Sequence, residues 1–364
     1  MPPEQFDVAQ VMAAVRQEQV GWQAGETTMT ALPEQERRYR LGYVPGPGEP
    51  SLAAREQIAQ ALLARAPAAA DYPRSFDLRS VGGQNFITPV KDQGSCGSCV
   101  AFGTIATVEG TLRFSRSDPN LAVDYSEAHL FYCHARAESR NCGNGWWVDS
   151  AMKAFLNIGV VDEACYPYTP GDQACSGLCA DWQNRVTKIS GYHAITSPND
   201  MKKWLSTRGS LATCLTVYDD FYAYRTGVYR HVTGNLAGGH CVCCVGYDDA
   251  QGCWICKNSW STGWGDAGFF RIAYGQVGID ATMWAVDGIV TAVWHNNTKI
   301  TSLWATNEDR NAWAYVDGVG WRRVAYDSDS IFINMLTLLA SAKASGRPVN
   351  LYEDQGVIKQ VYVL

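Results

Sequence analysis

The chain has 364 residues, 46% of them hydrophobic and 18% charged, with a net charge of −6. It is a globular composition, too long for one ordinary domain. With no basic run it gives nucleic acid or an anionic membrane surface no reason to bind, and no stretch approaches the roughly 20 apolar residues of a membrane span.

Residues 1 to 70 hold two helix-like pieces, Phe6 to Trp22 and Ser51 to Ala66. Between them Tyr43-Val44-Pro45-Gly46-Pro47-Gly48-Glu49-Pro50 must be extended or turned. In the second piece Ser51 is placed to cap, and Leu52, Ile58, Leu62 and Leu63 fall near one side at helical spacing. The run Ala66-Pro67-Ala68-Ala69-Ala70 reads as a cleavable linker. Met1 to Trp22 carries charges throughout and no apolar run, so it is not read as a secretory leader.

From Tyr72 to about Ile289 the chain becomes rich in Gly, Cys and aromatic residues. Its first half is helical in pattern: Cys99 to Phe114, a stretch capped by Ser126 and running to Cys133, and Trp147 to Leu156, ending near Gly159. Its second half reads as strands at Leu211 to Val217, Cys241 to Tyr247, Cys253 to Lys257 and Gly268 to Ala273. A helical half followed by a sheet half implies two lobes with a cleft between them. Residues 290 to 364 form a third unit, with strands at Thr301 to Ala305 and Ala312 to Val316, a helix from Ser330 to Ser345 closed by Gly346, and strands at Val349 to Tyr352 and Val357 to Val363.

Thirteen cysteines, several in loop-like surroundings, favour an oxidising, extracytoplasmic compartment, and the odd number leaves at least one thiol free. Cys99 is the natural candidate. It begins a helix directly after Gly97-Ser98, where the helix N-terminus favours a thiolate. Far downstream lie His240, in Gly238-Gly239-His240, and Asn258, in Lys257-Asn258-Ser259-Trp260. Such a thiolate attacks a carbonyl, His240 hands a proton to the leaving amine, Asn258 orients the imidazole, and Gln93 with the Cys99 N–H holds the oxyanion, a contribution on the order of 3 kcal/mol.

Gln93-Gly94-Ser95-Cys96-Gly97-Ser98-Cys99 resembles the nucleophile signature of papain/cathepsin-family cysteine proteases. Phe76-Asp77-Leu78-Arg79, Thr88-Pro89-Val90-Lys91-Asp92, Asn141-Cys142-Gly143-Asn144-Gly145, Tyr166-Pro167-Tyr168 and Gly263-Trp264-Gly265 follow in the family's order, so the resemblance covers roughly residues 72 to 289. It implies an α+β chain with a papain-like two-lobed fold, helical left lobe and β-barrel-like right lobe, with a small C-terminal α+β appendage. It makes Cys99, His240, Asn258 and Gln93 catalytic, with Trp260 shielding the His240–Asn258 contact. Substrate would run past Asn144, Gly145, Trp147, Gly238, Gly239, Trp260 and Thr282. It also implies Cys96–Cys142 and Cys133–Cys175 disulfides, leaving Cys165 and Cys179 for each other, although cysteine arithmetic alone keeps the connectivity open. Val100 departs from the family's aromatic residue after the nucleophile, and Cys241, Cys243, Cys244 and Cys256 are unusual thiols near His240.

The expected domains are an autoinhibitory prosegment over 1–70, in which Arg40-Leu41-Gly42-Tyr43-Val44-Pro45 blocks the cleft, a peptidase domain over 71–289 and a small domain over 290–364. Without a paired-histidine insertion between Cys165 and Cys179, an endopeptidase is expected, needing no cofactor. The pocket near Trp147, Gly238 and Thr282, for the substrate residue before the scissile one, would take a hydrophobic side chain. The competing reading is a protease scaffold that binds without turnover. A four-thiolate zinc site from Cys96, Cys99, Cys253 and Cys256 is disfavoured, because the second pair alternates like a strand. The remaining histidines, His129, His134, His193, His231 and His295, read as structural or solvated. Asn296-Asn297-Thr298 fits a glycosylation acceptor. Trp294, Trp304, Trp313 and Trp321 offer the last domain a protein- or carbohydrate-binding surface, with core packing the commoner role of such residues.

Overall fold

Asp7 accepts from the N–H groups of Ala9 and Gln10 and so starts α1 (Val8–Gln17). The computed structural model describes residues 7–64, 71–290, 292–354 and 356–364. Phe6 and the run Ala66 to Ala70 lie outside the described residues. The first helix does not reach Trp22: Gln19 takes a φ of 51°, and Trp22 enters β1 (Trp22–Ala24). A short α2 (Glu34–Arg38) and α3 (Leu52–Leu63) complete the N-terminal piece. Its second helix also differs from the expected apolar stripe, because α3 buries Arg55 and Ala59 while Ile58 and Leu63 are exposed.

After β2 (Ser75–Asp77) comes α4 (Cys99–Ser115), buried around most of its circumference. Ser126 then caps a π-helical turn, His129–Ala135, through its Oγ to the His129 N–H at 2.9 Å. With α5 (Val148–Asn157) these form a helical lobe whose core contains Ile105, Leu130, Phe131, Trp146 and Phe155. Three disulfides, Cys96–Cys142, Cys133–Cys175 and Cys165–Cys179, tie its loops together.

The second lobe is a sheet. It comprises β3 (Lys188–Ile195), α6 (Pro198–Thr207), β4 (Leu211–Tyr218), β5 (Tyr224–Tyr229), β6 (Leu236–Asp248), β7 (Cys253–Lys257), β8 (Phe269–Ala273) and β9 (Met283–Val290). The strands run β1-β5-β8-β7-β6-β4-β9-β3, with β2 on β6, an open path and not a closed barrel. β1 extends this sheet by pairing Trp22 with Gly227, so the N-terminal piece is part of the fold. Register places Leu215 opposite His240 and Cys214 opposite Cys241. β4, β6, β7 and β8 lie where the sequence pattern placed strands, whereas β3, β5 and β9 were not expected, because polar strands such as β3 and β5 carry no clean alternation.

Residues from Val290 onward form a separate compact unit. β10 (Ala292–Thr298), β11 (Ile300–Ala305), β12 (Ala312–Val316), β13 (Gly320–Val324), α7 (Asp329–Ser345), β14 (Val349–Asp354) and β15 (Val357–Val363) make a sheet in the order β10-β14-β15-β13-β12-β11. Its core is aliphatic, with Ile300, Val316, Leu339, Leu351 and Ile358. The tryptophans are not in it. Along β12, Ala312, Ala314 and Val316 are buried while Trp313 and Tyr315 take the opposite face, and Trp304 and Trp321 are half exposed.

Candidate active site

Cys99 is the first residue of α4, and Ser98, its cap, makes no side-chain bond to the helix end. The dipole therefore points at the thiol without competition. Cys99 Sγ accepts from the Cys241 N–H at 3.4 Å, which ties the helix start to β6 one residue past His240. His240 Nε2 lies 2.7 Å from Asn258 Oδ1. That oxygen also accepts the Ser259 N–H at 2.8 Å, so the amide is oriented and His240 carries its hydrogen on Nε2. The Trp260 ring stacks on the imidazole at 4.5 Å between centroids. His240 Nδ1 is buried and makes no hydrogen bond. Gln93 is held by Ser259 Oγ–H donating to its Oε1 at 2.7 Å, and its Nε2 donates to the Cys96 and Arg40 carbonyls at 2.7 and 3.1 Å.

Arg40 ends a turn from which the segment 41–44 runs through the cleft, Tyr43 forming isolated bridges to Trp146 and Gly239. The Trp146 N–H donates to the Gly42 carbonyl at 2.8 Å, the Tyr43 N–H to Gly239 O at 3.1 Å and the Val44 N–H to Trp146 O at 3.0 Å. Gly42, Gly145 and Gly239 permit this approach: a Cβ on any of them would lie 1.9 to 2.3 Å from a backbone oxygen across the contact. A Cβ on Gly46 would meet the Trp147 ring at 2.6 Å, and one on Gly238 would meet Leu41 at 3.1 Å. Thr28 Oγ1 donates to the Trp260 carbonyl at 3.5 Å, and the Thr282 carbonyl accepts from Arg55 at 3.4 Å. Asn144 instead bonds within its own loop, to Ser139 and Asn141. The N-terminal piece thus touches six of the seven expected substrate-binding residues.

Closure changes the protonation states. Burial pushes the Cys99 thiol up to about 12, against the opposing N–H groups of Cys241, Gly42 and Tyr43. Burial likewise lowers His240 to about 4, partly offset by Asn258. Both shifts favour the neutral forms in the closed state, unlike the ion pair expected from sequence, because desolvation outweighs the hydrogen bonds that oppose it. Cys214, Cys241, Cys243, Cys244, Cys253 and Cys256 are also free and buried. Cys96 is in a disulfide, and among the described residues no group of three His, Cys, Asp or Glu side chains could hold a metal. His129 receives the Val161 N–H at 3.1 Å, His134 meets the Gly159 carbonyl at 3.0 Å, and His193, His231 and His295 face Asp287, Asp220 and Glu353.

Residues 72–286 match the papain family cysteine protease profile. The chain belongs to the papain family of cysteine proteases. This papain-family chain is 38% identical over 212 residues to Cathepsin B-like CP3 of Giardia intestinalis, covering 55% of itself and 69% of that protein. It is 35% identical over 207 residues to the cathepsin L-like proteinase of Fasciola hepatica, 55% and 60% of the two chains. Among solved structures, digestive procathepsin L2 from Tenebrio molitor larval midgut superposes with a TM-score of 0.62 at 28% identity, over 77% of this chain and 88% of that one. Procathepsin B S9 from Trypanosoma congolense gives 0.62 over 77% and 97%, and at 22% identity is a likeness of fold. A share of 77% is more than residues 72–286 supply, so the likeness to these proenzymes includes residues outside that span. No helix among the described residues is long and apolar enough to cross a membrane.

Two contributors were missed from sequence. Trp146 supplies the backbone edge of the cleft, where only the neighbouring Gly145 and Trp147 carried a signal. Arg55 had none, because a charged residue on a helix reads as solvent-facing.

Proposed function

We propose that this papain-family protein is an endopeptidase made as a zymogen, with Cys99 as nucleophile, His240 as acid and base, Asn258 as orienter and Gln93 as oxyanion donor. The observation that carries this is the segment 40–44, hydrogen-bonded to both walls of the cleft over Cys99 and capping the Gln93 amide. It presents N–H groups of Gly42 and Tyr43 to the thiol. A thiol facing donors in place of a carbonyl carbon has nothing to attack, which lets the segment block without being cut.

Once residues 1–70 leave and water enters, the thiol proton passes to His240 Nδ1. The thiolate forms an S–C bond to the substrate carbonyl while the π pair moves to oxygen, held by Gln93 Nε2 and the Cys99 N–H. Collapse breaks the C–N bond, His240 protonates the amine, and water then hydrolyses the thioester with His240 taking its proton. Three disulfides fit an extracytoplasmic place of work. A scaffold without turnover would have no use for the oriented imidazole.

The test compares Cys99 labelling by a cysteine-directed epoxide at about pH 6, and hydrolysis of a peptide substrate, before and after excision of residues 1–70. Both should rise after excision and be lost in His240→Ala. Equal hydrolysis with and without the segment would defeat the zymogen reading, and absence of labelling in both forms the enzymatic one.

A further inference from the structure

We propose that the pocket beside Cys99 on the sheet lobe selects arginine as the substrate residue before the scissile one, in place of the hydrophobic side chain expected from sequence; this rests on the protease reading above. Two groups of the N-terminal piece fill that pocket. Tyr43 enters from the cleft, its carbonyl against Gly239 and its ring in the same buried cluster as Cys99, Cys214 and Cys241. Arg55 reaches in from α3 and is 3% exposed. Its Nη2 donates to the carbonyls of Cys214 at 3.1 Å and Thr282 at 3.4 Å, and its Cζ lies 5.5 Å from the centre of the Tyr43 ring.

Arginine is rarely buried unless its donors are met, and an apolar residue at the same helix position would fill the space without that demand. What meets Arg55 Nη2 is backbone, while its Nε is buried without a hydrogen-bond partner. The two acceptors therefore belong to the pocket whatever side chains line it, and they remain when α3 departs. The flanking residues, Cys214 and Cys241, face each other across β4 and β6. Of the buried Asp280 carboxylate, Oδ2 accepts from Trp254 Nε1–H at 3.0 Å and the Gly275 N–H at 2.9 Å, while Oδ1 has no hydrogen-bond partner. A leucine or phenylalanine in the vacated pocket would leave the carbonyls without the donor they now have, whereas a guanidinium restores it. A single guanidinium nitrogen serves both carbonyls here, and the guanidinium sheds its water more readily than the ammonium of lysine.

The experiment uses the full chain, folded and then nicked within residues 65–70 and freed of its N-terminal piece. Peptidyl coumarylamides differ only in the residue before the scissile one: Arg, Lys, Leu or Phe. The expected result is a kcat/KM for Arg at least about tenfold above Leu and Phe, with Lys between. Thr282→Asp, which adds a carboxylate at the carbonyl pair, should raise the Arg-to-Leu ratio several-fold further. Leu or Phe equal to or better than Arg, in an enzyme whose Cys99 a peptide-free epoxide still labels, overturns the arginine pocket and leaves the protease reading intact. No labelling and no hydrolysis of any member overturns both.

Discussion

Replacing Gly42 with alanine should open the closed form without touching a catalytic group. A Cβ there would stand 1.9 Å from the Gly97 carbonyl oxygen and 2.3 Å from its carbon, where ordinary contact needs about 3.4 Å or more. Neither wall can yield. The Gly97 N–H is bonded to Cys142 O at 2.9 Å, and Cys96 is joined to Cys142 by a disulfide. On the other side Gly145 already sits so close to the Gly42 carbonyl that its own Cβ would be 2.1 Å away. The segment must lift, losing the bonds of Gly42 O to Trp146, Tyr43 N to Gly239 and Val44 N to Trp146. At roughly 1 kcal/mol net for each, closure weakens by about 3 kcal/mol, a factor of about 100 in the closed-to-open balance. The assay is the rate of iodoacetamide alkylation of Cys99 in the full-length chain, read by mass spectrometry. Alkylation should accelerate about a hundredfold, while enzyme freed of residues 1–70 is unchanged because Gly42 is gone. A Gly42→Ala chain with a native melting curve and a wild-type alkylation rate would refute the blocking-segment geometry.

Closure should also depend on pH. His240 lies below its ordinary 6.5, at about 4, so the open form takes up a proton that the closed form refuses, and closure is lost as pH falls from about 6.5 towards 4. Cys99 lies above its ordinary 9.0, at about 12, so closure is lost again as pH rises through that range. Release of the N-terminal piece after nicking, followed by gel filtration, should be slowest between these limits, with Cys99→Ala flattening the alkaline side and His240→Ala the acid side; profiles unchanged by those substitutions would exclude the two groups as the cause. Trp22→Ala should loosen the same piece by roughly 3–5 kcal/mol, since its ring packs 5.2 Å from Tyr229 and its Nε1–H donates to Arg230 O at 2.9 Å; an unchanged release rate would count against docking through β1. Asn258→Ala should lower kcat roughly tenfold or more in the freed enzyme by releasing the imidazole's tautomer, a result checked by steady-state kinetics. In the last unit Trp304→Ser and Trp321→Ser should leave thermal stability nearly unchanged, whereas Leu339→Ala should cost roughly 2–5 kcal/mol, as calorimetry would record.

Much of the site was legible as text because its chemistry is written in short, nearly contiguous runs. The Gly97-Ser98 turn starts α4 at Cys99, and His240 and Asn258 each sit at a recognisable strand feature, so local rules and residue type identify them. The run Tyr43 to Pro50 likewise announced itself as extended or turned through its prolines and glycines. Burial was not legible. A segment crossing the cleft removes water from Cys99 and His240 together, and this works against the ion pair expected from sequence. Arg55, which carried no signal in the sequence, is buried because α3 lies against carbonyls more than 150 residues away in sequence. The tryptophans of the last unit, whose size suggests core, lie off it because the period-two alternation of β12 assigns the inner face to Ala312, Ala314 and Val316. Residue order by itself determined which groups are candidates for the chemistry and where most helices and turns begin, since those depend on neighbours a few positions apart. Only the tertiary structure decided which of those groups share a dry environment, since desolvation and close backbone approach are set by segments that meet through space.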